Sequence, residues 1–415
     1  MDPSTPLSAE PTRPDLDVVV IGGGPGGSAL ATLVAQAGHR VALFERHDFP
    51  RFQVGESLVP SVNLVLERLG LIPAMGARGF TEKHGVQFFG PRGPTRPFYF
   101  RDVADARLHH TWQVLRSEFD ALLLDNATAH GVDTRMGTQV SALLEADGRA
   151  AGVRITEPDG GRRDVSARIV VDASGRNGLV ARHYGGHQPI EGLNNVSVYA
   201  HYRDVRRDAG IDAGSTLIYR LDAQSWIWFI PLRETVSIGL VTSVARLQSF
   251  GPSKEAALAA AILRCPDLCD RLTSAELATE VRSAGDRSYR ASKDGGAGWL
   301  LVGDALGFID PIYSTGLCLT MLSVDLAAAA IDAALNGRRE LDFAGYSANY
   351  QAAFDQFLTL VRAYYDADFH FSVLARNPTH RQGLIDLLTG IAGTPQADEV
   401  TRTIQSFLAG RRARL

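Results

Sequence analysis

The chain has 415 residues, 45% of them hydrophobic and 21% charged, with a net charge of −4. That composition excludes a disordered or fibrous chain and leaves room for one large or two coupled globular units. The charge balance gives no case for nucleic acid or a membrane surface as a partner, and three cysteines, Cys265, Cys269 and Cys318, exclude a zinc ribbon or a disulfide framework.

Residues 1–14 carry four prolines and no apolar core, which predicts a disordered leader rather than a signal peptide. The first strong pattern comes next. An apolar run at 18–21 reads as a fully buried strand, and Gly22-x-Gly24-x-x-Gly27 follows it directly. An alanine-rich helix ends at Gly38, a second apolar strand covers 41–44, and that strand stops on Glu45. Each part has a physical task in holding a dinucleotide. Gly22 makes the tight turn, Gly24 lets the backbone approach a pyrophosphate, and Gly27 lets helix and strand pack closely. The helix N-terminus presents N–H groups and positive dipole to the phosphates. Glu45, 18 residues beyond Gly27, is placed to accept hydrogen bonds from a ribose hydroxyl. The pattern specifies a dinucleotide and leaves FAD and NAD both open.

Ser57 reads as the N-cap of a helix whose apolar residues are Val62, Leu64, Val65 and Leu69. Residues 82–89 read as one strand with 96–101 as its partner, and a helix opens over 111–120. Short strands fall near 139–146 and 153–156, and a buried strand near 168–172 ends in small residues. From Asn195 the pattern changes. Four strand-like runs near 196–202, 216–221, 225–231 and 235–241 predict an antiparallel meander. In the third, Trp226, Trp228 and Ile230 share one face and Ile227 and Phe229 the other, so a central strand is expected.

An amphipathic helix fills 253–263, and a buried strand returns near 298–305. The long apolar helix at about 316–335 contains Asp325 and Asp332, which reads as a packed core helix rather than a membrane span. The tail from Phe343 is helical, with Tyr346, Tyr350, Phe354, Phe357, Val361 and Tyr364 on one packing face. His109 and His110 read as ordinary surface residues.

Four further segments accompany the glycine loop: Gly55-Glu56-Ser57, Trp226-x-Trp228-x-Ile230-Pro231, Gly303-Asp304, and Phe308-x-x-Pro311-x-x-Ser314-x-Gly316. In this order they resemble the flavin-dependent halogenases, within the glutathione-reductase-type FAD monooxygenase superfamily. The resemblance covers about residues 17–365. Asp172-Ala-Ser-Gly175 and Leu306 depart from the aromatic hydroxylases, and Trp226 and Ile230 depart from the geranylgeranyl reductases. Tyr313 stands where tryptophan halogenases carry an acid, so the chain resembles the phenol- and pyrrole-type members more closely.

The resemblance implies an α/β fold: a Rossmann-type FAD-binding domain with an inserted antiparallel β-sheet substrate domain and a C-terminal helical cap. The FAD-binding domain is expected at 15–80, 105–190 and 280–335, the substrate domain at 81–104 and 191–279, and the helical region at 336–415. The implied enzyme is cytoplasmic and belongs to secondary metabolism, with no metal. Reduced FAD comes from a separate flavin reductase, and O2 and chloride or bromide are co-substrates. A flavin hydroperoxide oxidises the halide to hypohalous acid, which a lysine holds. An electron-rich aromatic, phenolic or pyrrolic, free or tethered to a carrier protein, is then halogenated, with chlorination expected.

Lys83 lies 27 residues after Glu56, which resembles the spacing of the halogenase lysine. Taken alone, a lysine near a strand start is usually solvated. Buried in an apolar channel it has a depressed pKa and becomes a nucleophile, or a strong donor while protonated. By resemblance, Thr315 and Gly316 supply the amides that hold a halide at a helix N-terminus, where the dipole favours an anion. Arg46, Arg51, Arg116, Asp304, Pro311, Gly316 and Leu317 join the glycine loop and Glu45 as cofactor contacts. Glu56, Trp226, Trp228 and Tyr313 line the substrate channel. Three other readings stay open: an FAD-dependent aromatic hydroxylase, acting on a free or peptide-bound ring; a flavin reductase of isoprenoid double bonds; and an inactive FAD-binding partner.

Overall fold

The computed structural model describes residues 14–91, 93–337, 340–374 and 377–412. All of the expected leader except Pro14 lies outside them. The fold is mixed α/β, built on two large sheets. In the first, the strands Trp299–Leu301, Arg162–Asp172, Leu16–Ile21, Val41–Phe44 and Asp133–Arg135 lie side by side and parallel. Val18, Val19 and Val20 are completely buried, as expected for parallel strands covered on both faces. The helix Pro25–Gln36 follows the glycine loop and packs against the helices Arg116–Ala129 and Thr315–Gly337. Gln139–Ala146 and Arg149–Thr156 extend this sheet as an antiparallel flap off Arg162–Asp172.

Among the described residues the second sheet has ten strands. Its core order is Arg282–Ala291, His187–Arg203, Val236–Ser243, Trp226–Pro231, Thr216–Arg220 and Gly85–Gly90. Ile227 and Phe229 face a core shared with the helices Lys254–Leu263 and Pro266–Arg271. Trp226, Trp228 and Ile230 face the other way, into the core that reaches the parallel sheet. The period-2 reading of that strand therefore holds. Trp228 fits because its partner across the ladder is Gly239, where any Cβ would stand 2.2 Å from the indole.

Four local expectations need correction. The run at 82–89 is two strands, Thr81–Lys83 and Gly85–Gly90, and only the second joins the ten-stranded sheet. Thr81–Lys83 instead pairs with Thr111–Gln113, so that segment is a strand, and the helix starts five residues later as Arg116–Ala129. The β-favouring Thr111 and Trp112 outweigh the helical pattern there. Residues 96–101 supply only the two-residue strand Phe98–Tyr99 and then a 3-10 turn. Ser57 caps nothing; the helix it precedes runs Val62–Arg68, and Ser57 turns inward.

One helix among the described residues, Thr315–Gly337, is long and apolar enough by composition to cross a membrane. Most of its apolar span is buried inside the protein, against Pro25–Gln36 and Phe343–Tyr365. The aromatic stripe of Phe343–Tyr365 is fully packed, with Tyr350, Phe354 and Phe357 at 0% exposure. The three cysteines are free thiols.

Candidate active site

A cavity of about 740 Å³ opens between the two sheets. The parallel sheet supplies one end of it. Gly22 has a φ of +102°, and a Cβ there would meet Ala173 O at 2.6 Å; at Gly27 it would meet Gly22 O at 1.9 Å. These two glycines make the turn and the close packing of helix on strand. Gly24 differs: its added Cβ would meet only the Arg51 guanidinium, at 3.4 Å. It lines the cavity, so a side chain there would take up ligand space. Glu45 closes the second strand and accepts hydrogen bonds from the Gly23 and His47 amides. Its carboxylate thus sits fixed against the glycine loop.

Arg46, Arg51 and Arg116 border the same cavity. Asp120 holds two of them: it pairs with Arg116 Nε at 2.7 Å and approaches Arg51 at 3.6 Å. Arg116 also donates to Val54 O, which braces the loop leading to Glu56. Asp304 faces the cavity from a 3-10 turn after the returning strand. Burial pushes its carboxyl up, against the opposing pull of Arg176 and Arg116. Arg176 was missed by sequence reasoning; it bridges Asp286 and Asp304 and lies over the Phe308 ring.

The far end is built by the turn Pro311–Tyr313 and the start of Thr315–Gly337. Pro311, Ser314, Gly316 and Leu317 line the cavity. Ser314 takes a left-handed φ of +56°, which turns the chain abruptly into the helix. A Cβ on Gly316 would touch only Phe308, at 4.0 Å, so its backbone faces open space. Thr315 is turned inward, and its buried hydroxyl has no hydrogen-bond partner among the described residues. Tyr313 is also inside, packed edge-on against Tyr364 and Phe371 rather than on this cavity. The residues fit an extended dinucleotide: a glycine cradle and a ribose acid at one end, and free helix amides at the other.

Asp310, absent from the expected site, organises that turn. Its carboxylate accepts from Ile312 N, from Asn195 Nδ2 at 2.6 Å and from the Tyr365 hydroxyl at 2.9 Å. The Trp226 indole donates to the same tyrosine hydroxyl at 2.8 Å. The motif turn, the tryptophan strand and the C-terminal helix are thereby tied at one point. Burial pushes the Asp310 carboxyl up to about 7 in spite of these donors.

Trp226 and Trp228 form part of the cavity wall, together with Glu56, Ser57 and Thr216. Glu56 is buried, with His201 Nε2 3.0 Å away. Lys83 does not reach the cavity surface. It lies behind Ser57, 1% exposed, and donates to Ser57 Oγ and Leu58 O, both at 2.8 Å. The Phe100 ring lies 5.5 Å away, and no carboxylate among the described residues pairs with it. Uncompensated burial pushes the Lys83 ammonium down to about 7. A lysine that exchanges its proton near neutrality thus stands one hydroxyl behind a cavity with a dinucleotide cradle.

Comparison with known proteins agrees with this geometry. The family signature described as tryptophan halogenase matches residues 17–118 and 101–372. A 1H-pyrrole-2-carbonyl-[peptidyl-carrier protein] brominase of Pseudoalteromonas luteoviolacea is 33% identical over 383 residues, 90% of this chain and 91% of that protein. The corresponding chlorinase of Pseudomonas fluorescens is 27% identical over 422 residues, 95% of this chain and 93% of its own. Among solved structures, the flavin-dependent brominase Bmp2 superposes with a TM-score of 0.88 at 28% identity, covering 96% of this chain and 100% of its own. The myxobacterial chondrochloren halogenase CndH, an FAD-dependent halogenase, superposes with 0.81 at 32% identity, covering 94% and 96%. The chain belongs to the tryptophan-halogenase family and is an oxidoreductase-type, flavin-dependent halogenase.

Proposed function

We propose that the enzyme halogenates an electron-rich pyrrole or phenol, with reduced FAD, O2 and chloride or bromide, and that Lys83 acts on the hypohalous acid at the cavity wall. The observation that carries this reading is the uncompensated burial of Lys83 directly behind Ser57, beside the Trp226–Trp228 wall. Bound reduced flavin supplies the two electrons that, with O2, make the halide electrophilic. Gly22, Gly24 and Gly27 and the helix behind them hold the pyrophosphate, and Glu45 holds the ribose. The amides of Thr315 and Gly316 hold the halide, and the tryptophans keep the ring of the substrate apart from the cofactor.

We assign the cofactor to segments 15–80, 105–190 and 280–335, and the aromatic substrate to the inserted antiparallel sheet. A pyrrole on a carrier protein is the substrate best supported, because two relatives named for that substrate align along nearly their whole length. Free cysteines fit a reducing compartment, and we place the enzyme in the cytoplasm beside a separate flavin reductase. An aromatic hydroxylase would use the same cavity but has no use for the buried lysine. The test is mass spectrometry of a pyrrolyl-carrier protein and of the free acid, each incubated with enzyme, FADH2, O2 and either halide. The halogen isotope pattern is expected on the carrier-bound pyrrole; one added oxygen instead sinks the reading.

A further inference from the structure

Lys83 does not touch the cavity, yet its environment connects to it. The ladder of Thr81–Lys83 with Thr111–Gln113 places Lys83 and Gln113 on one face, since Gln113 lies opposite Thr81 and Thr81 shares the face of Lys83. That face meets two hydroxyls, both of which line the cavity: Ser57 and Thr216. Lys83 Nζ donates to Ser57 Oγ at 2.8 Å, Ser57 Oγ and Thr216 Oγ1 are 3.0 Å apart, and Gln113 Nε2 donates to Thr216 Oγ1 at 2.8 Å. All four side chains are at least nine-tenths buried.

Hydrogen-bond accounting orients this cluster. While Lys83 is protonated, it and the Gln113 amide nitrogen can only donate here, so each hydroxyl already accepts one bond. The two hydroxyls share a single bond between them, whichever is the donor. One hydroxyl proton is therefore left over. Gln113 Oε1, buried in the same cluster, bonds neither hydroxyl, and no other acceptor among the described residues takes it. The spare proton belongs to a group on the cavity wall.

We propose that Ser57 and Thr216 form a proton relay that connects Lys83 to the cavity, so that the lysine serves the reaction through two hydroxyls. The reaction step, which rests on the halogenase reading, balances as follows. The carbon–halogen bond forms as the halogen–oxygen bond of hypohalous acid breaks. The departing hydroxide takes the spare hydroxyl proton and leaves as water, each relay proton moves one place, and Lys83 gives up one of its own. The proton lost from the ring carbon then returns along the same path, so the enzyme is restored. A lysine titrating near neutrality suits both directions.

The chain has three lysines, Lys83, Lys254 and Lys293, so isotope-labelled lysine gives Lys83 one of three side-chain NMR signals. In protein without halogenation substrates, Ser57→Ala is expected to slow exchange of the Lys83 amine protons with solvent. The signals of Lys254 and Lys293 stay unchanged and report that the variant has folded. A serine that merely braced the lysine would give the opposite sign, because losing its bond frees the amine. Ser57→Cys, similar in size but with a weakly bonding thiol, is the second variant and is expected to slow exchange too. Turnover of Ser57→Ala should fall by roughly a hundredfold, and Ser57→Thr should recover most of it. Exchange at or above the wild-type rate in both Ser57→Ala and Ser57→Cys overturns the relay. Slowed exchange in a protein whose wild type makes no halogenated product leaves the relay standing and removes the halogenase.

Discussion

The charge on Lys83 is the residue-scale feature with the widest consequences. In the unfolded chain a lysine keeps its proton to about 10.5, but in the fold Lys83 keeps it only to about 7. Between those values the unfolded chain binds one proton more, so stability rises with pH, by up to about 1.4 kcal/mol per unit. Asp310 works in a separate window. Its carboxyl moves from 3.8 unfolded to about 7 folded, so the folded chain binds the extra proton there and stability falls as pH rises from 3.8 toward 7. Urea titrations across pH should show both slopes; Lys83→Met is expected to remove only the upper one and Asp310→Asn only the lower. An unchanged upper slope in Lys83→Met would mean that the lysine is not buried without a partner. Lys83 was legible as a candidate through its distance from Glu56 alone. Its two hydroxyl partners were not, because Ser57 before an apolar helix looks like a cap and Thr216 lies 159 residues away, on another strand.

At the scale of elements, glycines separate turn-making from ligand-holding. Gly22 and Gly27 have no room for a Cβ against backbone atoms, whereas Gly24 has room only on the side of the cavity. Gly24→Ala should lower the melting temperature by only a few degrees, since exchanging an N-cap glycine for alanine costs about 1 kcal/mol or less, and should lose FAD in an equilibrium titration. Gly22→Ala should instead destabilise the protein with or without FAD. Gly239→Ala puts a methyl into the Trp228 ring and should cost about 1–3 kcal/mol of unfolding free energy with a shift in tryptophan fluorescence. The strand–glycine–helix–strand–acid series was readable from sequence because all its determinants are local. The split of residues 81–90 into two ladders was not, since each strand is chosen by a partner far along the chain: Thr111–Gln113 for one, Thr216–Arg220 for the other. The Asp310–Tyr365–Trp226 tie escaped for the same reason, joining three elements that only the tertiary fold brings together.

For the whole molecule, the arrangement separates two tasks across one cavity. The parallel sheet carries the glycine loop and Glu45, the ten-stranded sheet presents the tryptophans and Thr216, and the short ladder of Thr81–Lys83 with Thr111–Gln113 sets the lysine behind Ser57. Two relatives that align along nearly their whole length are named for a carrier-bound pyrrole and differ in name by their halide; under the proposed function, free pyrrole acid is expected to react more poorly than the carrier-bound form. The central claim is that halogen transfer depends on Lys83. The most direct test compares wild type with Lys83→Met, under FADH2, O2 and halide, on the pyrrolyl-carrier protein. Both proteins are expected to consume FADH2 and O2 at similar rates, with halogenated product from the wild type alone, a loss of at least roughly a hundredfold in the variant. Halogenation by Lys83→Met at the wild-type rate would contradict the account.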